Sequence, residues 1–334
     1  MGVIIKCVDG GDNRLVKNVD RINLLVNVSR LYYEHDYSQQ QIAEKLGLSR
    51  PYVSKLIKEA RNAGIVNITI NDPCETETRL EAETRKRYGL KKVIIVPVEN
   101  VNINNVLERL GVATATFLDS IVKDGDTIGV TWGATLYACS RNVIPRDDLK
   151  DIIVVQICGG VSRLDKNIHA SEIPRNFSEA YRGTSYILPL PAILDSIEVK
   201  DAVLCDKNIR SVLDIASKAN INIFTMGVFG YESALFRADY IGRDEVDRLR
   251  SKGAVGDICG RFIDIQGNIC DEDLNKRTVA VELEALKKKE WRIAVAAGFN
   301  KVKCIVGALR GGYVNVLITD EETAMEITKF FNQP

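Results

Sequence analysis

The chain has 334 residues, 46% of them hydrophobic and 27% charged, with 45 basic against 45 acidic side chains and no formal net charge. That balance excludes wholesale disorder, gives no global sign of a nucleic-acid or membrane partner, and leaves room for a small module beside a larger one. Eight scattered cysteines with no Cys-x-x-Cys pair, and only two histidines, give a zinc site little support and read as reduced side chains. Neither a signal-peptide pattern nor an apolar run of about 18 residues occurs, so a cytoplasmic location is expected. No cofactor motif stands out.

In chain order, residues 1–18 read as a loosely held arm with Gly2, Gly10 and Gly11. Ile22, Leu25, Val26, Val28 and Leu31 then recur at helical spacing and predict a helix from Val19 to Glu34. Ser38 with Gln41 three residues later is a capping-box arrangement opening a short second helix with Ile42, Ala43 and Leu46 inward. Gly47 ends it. Ser49 is placed to cap a third helix with Pro51 in its first turn and Val53, Leu56, Ile57 and Ala60 inward. Ile65–Ile70 alternates like a strand, the wing of a winged module, and Asn71-Asp72-Pro73 marks a domain boundary. Glu75–Tyr88 reads as a charged helix within a connector spanning 73–91.

From 92 to 334 short β-branched runs alternate with helices. The predicted strands are Val93–Val98, Thr127–Thr131, Ile152–Ile157, Ser185–Leu188, Ile221–Met226, Arg261–Asp264, Arg292–Ala296 and Val314–Ile318. Between them fall helices at Asn105–Lys123, Ala134–Asn142, Ile173–Tyr181, Ile209–Ala219, Lys301–Leu309 and Glu321–Phe331. The alternation predicts an α/β, Rossmann-like, mostly parallel sheet.

The helix–Gly47–helix spacing at 38–63 is that of a helix-turn-helix, whose second helix enters a DNA groove. The third helix offers Ser49, Arg50, Pro51, Tyr52, Ser54 and Lys55 on its leading face. Between Ser49 and Arg61 four cations stand against one anion, a local charge of +3 in a neutral chain. Arg50 is the leading base reader, since a guanidinium pairs bidentately with guanine; Gln40 and Lys58 suit phosphates. Two helices joined by a glycine turn also occur in proteins that never touch DNA. The string YSQQQIAEKLGLSRPYVSKLIKEARNAGIVNITI, however, resembles the helix-turn-helix of the SorC family of sugar-responsive transcriptional regulators, the DeoR-like sugar-binding group.

Two further segments carry anion-binding grammar. Thr131, Trp132, Gly133, Ala134 and Thr135 join a strand to a helix, where small residues expose backbone N–H groups. Gly298-Phe299-Asn300-Lys301 repeats the pattern with a lysine opening the next helix, either as a solvated cation or as a phosphate partner. Both fall at carboxyl ends of strands, where open α/β sheets bind ligands. Trp132 reads either as packing under its loop or as a lid.

The segments GDTIGVTWGAT, VVQICGG, ILPLPAI, GDICGRFIDIQGNI, AAGFNKVKCIVGALRGG and VNVLITDEETA resemble the SorC effector domain in the same order. The resemblance implies a fold similar to sugar-phosphate isomerases and deaminases, binding of a phosphorylated sugar without turnover, and a homo-dimer or homo-tetramer on an operator. It implies a pocket of Thr131–Thr135, Gln156, Cys158, Gly159, Gly160, Arg237, Asp257 and Lys301. Two departures bear on the ligand: Gly298-Phe299 stands where two glycines are common, and the Cys158 thiol is a poor polar partner. No catalytic set is evident. His169 is the only imidazole available to the pocket, and Asp271 and Asp273 read as solvated loop carboxylates. An isomerase or deaminase with an appended DNA module, and a DNA-binding protein with no ligand, remain as alternatives.

Overall fold

This computed structural model describes residues 12–66, 77–98, 103–160 and 169–330, without the side chains of 12–20 and 103–104. Contacts divide the chain into Met1–Thr76 and Glu77–Pro334.

The first unit is built from α1 (Asp12–Tyr33), α2 (Gln39–Leu46) and α3 (Arg50–Asn62). The expected arm is described only from Asp12, and there it is already helix: α1 starts seven residues before Val19. No glycine or proline interrupts 12–33, so mixed polarity alone does not stop the helix. Ile22 is half exposed rather than inward, and the core of α1 is Leu25, Val28 and Leu31. They close on Ile42 and Ala43 of α2 and on Val53, Leu56, Ile57 and Ala60 of α3. Ser38 Oγ accepts from the Gln41 N–H at 3.3 Å, and Gln41 Oε1 accepts from the Ser38 N–H at 2.9 Å. Gly47 takes φ +65° with open space around it, a left-handed turn that glycine adopts at no steric cost. The predicted strand Ile65–Ile70 runs outside the described residues from 67 onward, and the predicted boundary at 71–73 lies outside them entirely.

The second unit opens with α4 (Arg79–Tyr88), β1 (Lys92–Val96), α5 (Ile103–Ile121), β2 (Thr127–Val130), α6 (Ala134–Arg141), β3 (Ile153–Gln156), α7 (Glu172–Ala180) and β4 (Thr184–Tyr186). It continues through α8 (Ile197–Leu204), α9 (Lys207–Lys218), β5 (Ile221–Phe224), β6 (Met226–Val228), α10 (Ala234–Arg237), α11 (Arg243–Ser251), β7 (Gly256–Ile258) and β8 (Arg261–Ile263). It ends with α12 (Glu272–Arg277), α13 (Leu283–Leu286), β9 (Trp291–Val295), a 3-10 turn at Phe299–Lys301, α14 (Val302–Arg310), β10 (Val316–Asp320) and α15 (Glu321–Phe330). Within the expected connector 73–91, α4 belongs to this unit: Tyr88 donates to the Ile327 carbonyl and Glu81 accepts the Ile95 N–H.

Seven strands form a parallel sheet in the order β1-β10-β9-β5-β2-β3-β4. Its strands are apolar on both faces, as a parallel sheet covered by helices requires. Ile221, Ile223, Ile293, Val295, Val316 and Ile318 meet α5, α6 and α7 on one side. Phe224, Ala294, Ala296 and Leu317 meet α9, α14 and α15 on the other. The predicted strand Ile221–Met226 is in fact two: it breaks at Thr225, and Met226 begins a separate antiparallel sheet of β6, β7 and β8. From β2 the chain moves outward to β3 and β4, whereas β5 leads toward β9 and β10. The two adjacent strands β2 and β5 therefore flank a topological switch point, the usual place for a ligand crevice.

Candidate functional site

In the first unit, α3 carries the expected exposed stretch. Ser49, Arg50, Pro51, Ser54, Lys55 and Lys58 are all exposed, and Arg50, Lys55 and Lys58 make no hydrogen bond or ion pair among the described residues. Ser49 occupies the N-cap position without bonding the helix through its hydroxyl, which leaves that group open to a partner. Tyr52 is placed differently from expectation. Its ring is half-buried, and its hydroxyl accepts from Arg21 of α1 at 2.7 Å. Gln40 is exposed on α2, with its amide donated to Glu44 at 3.0 Å. Arg61 reaches back to α1, donating to the Tyr33 hydroxyl at 2.7 Å.

In the second unit most of the expected site residues lie near the carboxyl ends of β2, β3, β5 and β9, and Asp257 lies on β7. The Thr131 N–H donates to the Ile223 carbonyl across the switch point at 3.3 Å. Its hydroxyl is buried with no hydrogen-bond partner among the described residues, a costly state for a polar group unless something completes it. Gly133, at φ +112° with no atom near its missing Cβ, opens α6 without a side-chain cap. The first turn of α6 therefore receives no side-chain cap from its N-cap residue.

Lys301 leaves the turn after β9 and donates to Thr225 Oγ1 at 3.2 Å. Thr225 ends β5, so one bond links the two strand ends. Burial lowers the pKa of the Lys301 amine, against the opposing pull of the Cys304 and Asp257 charges. No carboxylate is ion-paired to Lys301 among the described residues. Asp257, on β7, is buried and accepts the Gly260 N–H at 2.9 Å. Burial raises its carboxyl to about 6, while that hydrogen bond and the Lys301 charge act the other way. Opposite it, a Cβ at Gly227 would stand 1.9 Å from Asp257 Oδ1, so only glycine leaves the carboxylate its place.

Cys158, Gly159 and Gly160 follow β3. A hydrogen bond shared with Cys259 and then burial hold the Cys158 thiol well above its ordinary range. The Gly159 N–H donates to the Val279 carbonyl, and the Gly159 carbonyl accepts from the Trp132 indole N–H at 2.8 Å. Cβ atoms at 159 and 160 would strike Pro191 and Trp132 respectively. Trp132 thus has the geometry of a packing residue, wedged between its loop and the glycine pair. Both ends of the Gln156 amide are bonded to backbone: its carbonyl accepts from the Leu188 N–H and its amide donates to the Ala170 carbonyl. Arg237 is exposed at the end of α10. The fold therefore gathers Thr131, Trp132, Gly133, Cys158, Gly159, Gly160, Asp257 and Lys301, with Ala134 and Thr135 in the first turn of α6.

Sequence reasoning missed Thr225, Cys259 and the Asp320–Thr323 pair. The Gly298 N–H donates to Thr323 Oγ1 at 2.8 Å and Asp320 Oδ2 at 3.2 Å, which fixes the turn before Lys301. The end of the apolar run Ile221–Phe224 was the available signal for Thr225. His169 is bonded to Glu172 at 2.6 Å and stacked on Tyr137. Asp271 corrects an expectation: it is buried rather than solvated, gripped by Arg248 and Lys252 at 2.9 Å each. Burial works to raise its carboxyl, but the Leu274 N–H and the two cations outweigh burial and hold it at about 2. The described residues contain no cluster suited to a metal ion and no helix long and apolar enough to cross a membrane.

Residues 72–329 match the family described as "Putative sugar-binding domain", and residues 28–63 match "Sigma-70, region 4". The chain is 42% identical over 308 residues to the deoxyribonucleoside regulator of Bacillus subtilis strain 168, covering 91% of this chain and 97% of that one. It is 29% identical to the sorbitol operon regulator of Klebsiella pneumoniae, covering 94% of this chain and all of the relative. The crystal structure of full-length SorC, the sorbitol operon regulator of Klebsiella pneumoniae, superposes with a TM-score of 0.73 at 30% identity, over 92% of this chain and 98% of that one.

Proposed function

The chain belongs to the SorC family of transcriptional regulators, with a DNA-binding helix-turn-helix and a sugar-binding domain, and from that premise we propose a switch controlled by a phosphorylated sugar. In this reading α3 enters the major groove of an operator. Arg50 reads a base edge, Ser49, Ser54 and Lys55 extend the contact, and Lys58 and Gln40 hold phosphates. Tyr52 takes part through its ring edge, since its hydroxyl is tied to Arg21. Two recognition helices on one operator call for a symmetric dimer or tetramer, acting in the cytoplasm where the DNA is.

The observation that carries the effector reading is an orphaned buried hydroxyl at the end of β2, with a half-buried cation bonded at the end of the neighbouring β5. Among the described residues Thr131 Oγ1 has no partner, and Lys301 Nζ has only a threonine hydroxyl. A phosphate between them would accept from both and from the uncapped start of α6. Asp257 would accept sugar hydroxyls. Binding would shift the balance between operator-competent and operator-incompetent arrangements. The reading is of binding without turnover: His169 is committed to Glu172 and Tyr137, and Asp257 has thiols and an amine around it rather than a second acid.

Within phosphorylated sugars, the Cys158 and Cys259 thiols favour a ring position that bears no hydroxyl, because a thiol is a weak partner for one. A relative named a deoxyribonucleoside regulator points the same way. A deoxypentose phosphate is the first ligand to test, by thermal shift of the full chain against the same sugar without phosphate. A stabilisation that needs the phosphate supports the reading. Equal shifts with both sugars, or none with any sugar phosphate, would overturn it.

A further inference from the structure

Arg21 of α1 holds two points on α3 at once. Its Nε and Nη2 donate to the two oxygens of Glu59 at 3.1 and 2.6 Å, and its Nη1 donates to Tyr52 at 2.7 Å. Positions 52 and 59 are seven apart, so they share one face of α3 about two turns apart. This face flanks the buried row Val53, Leu56, Ile57 and Ala60. Glu59 is also four residues after Lys55, within reach for an i,i+4 pair. It is the one anion among the four cations of this helix. An anion released on this face would either draw Lys55 away from phosphate or stand close to phosphate itself.

We infer that Arg21 is a positioning residue for DNA binding: it binds Glu59 and so keeps Lys55 free to meet the DNA backbone. The inference rests on the reading of α3 as the recognition helix. Arg21 touches no DNA in this account; it acts through Glu59. The fork geometry suits the task, since a guanidinium satisfies both oxygens of a carboxylate at once. The groups facing Arg21 from the packed helix are Glu59 and Tyr52, and the charge facing Glu59 along its own helix is Lys55.

The test is binding of the full chain to a random-sequence DNA duplex, measured by fluorescence anisotropy across a salt series. Arg21→Ala is expected to weaken binding by up to about fivefold and to reduce the slope of log affinity against log salt by about 1. The double variant Arg21→Ala with Glu59→Gln is expected within about twofold of wild type, with the slope restored. Arg21→Lys keeps the charge but loses the fork, and is expected to bind more tightly than Arg21→Ala and less tightly than wild type. If Arg21→Ala binds like wild type, the inference fails. If the double variant or Arg21→Lys stays as weak as Arg21→Ala, Arg21 acts as a structural brace and the inference also fails. A wild-type chain that does not bind duplex DNA would instead overturn the DNA reading itself.

Discussion

Asp257→Asn should stabilise the unliganded chain at neutral pH, and the gain should vanish in acid. In the folded chain the carboxyl is buried, receives one N–H from Gly260, and has its pKa raised from 3.8 to about 6 by burial. A carboxyl whose folded pKa lies above its unfolded value contributes full stability below the unfolded value. That contribution is lost as pH rises through the folded value. The shift corresponds to about 3 kcal/mol. Asparagine keeps an oxygen to accept the Gly260 N–H and brings no charge to desolvate. The stability difference, variant minus wild type, should therefore be small near pH 4, grow mainly between about pH 4 and 6, and level off near 3 kcal/mol above about pH 7. Urea unfolding followed by tryptophan fluorescence suits the measurement. The chain has two tryptophans, Trp132 and Trp291, and both lie in the α/β unit. A difference that stays constant with pH, or that favours wild type at pH 8, would refute the reasoning.

Thr131→Val removes the orphaned hydroxyl. The unliganded chain should be as stable as wild type or more stable, by about 1 kcal/mol in urea unfolding, while affinity for a sugar phosphate falls about tenfold. Lys301→Ala should cost roughly tenfold or more in affinity for the phosphorylated sugar and little for the unphosphorylated one, with operator affinity unchanged. Calorimetry with the two sugars separates these, and equal losses for both would remove Lys301 from the phosphate site. Arg50→Ala should cost about 1–3 kcal/mol on the selected operator and relax preference at one base position. Uniform weakening on every sequence would reduce Arg50 to a phosphate contact.

The features legible in the sequence were those with a local cause. Ser38 and Gln41 bond each other within one turn, and Gly47 needs its left-handed backbone, so the helix-turn-helix was readable from 38 to 63. The central strands are near-continuous apolar runs, which a doubly covered parallel sheet demands. Short strands were legible only in part: Arg261–Ile263 was found, but Gly256–Ile258, which holds a glycine and an aspartate, was missed, and Met226–Val228 was merged with the strand before Thr225. Side-chain commitments over long separations were also hidden. Arg21 meets Glu59 across 38 residues, and Gln156 meets Leu188 across 32. Asp271 looked solvated because nothing near it in sequence announces Arg248 and Lys252, 23 and 19 residues earlier. The candidate pocket was proposed from strand ends and family motifs, whereas the missing partner of Thr131 among the described residues is a property of three-dimensional packing.

The central claim is that a phosphorylated sugar in the α/β unit controls DNA binding by α3. The direct measurement is the affinity of the full chain for an operator selected from a random duplex pool, with and without 2-deoxyribose 5-phosphate and a panel of other sugar phosphates. The account predicts that one phosphorylated sugar changes operator affinity by about tenfold or more while its unphosphorylated form does not, and that Lys301→Ala abolishes the change. An operator affinity indifferent to every sugar phosphate in the panel would contradict it.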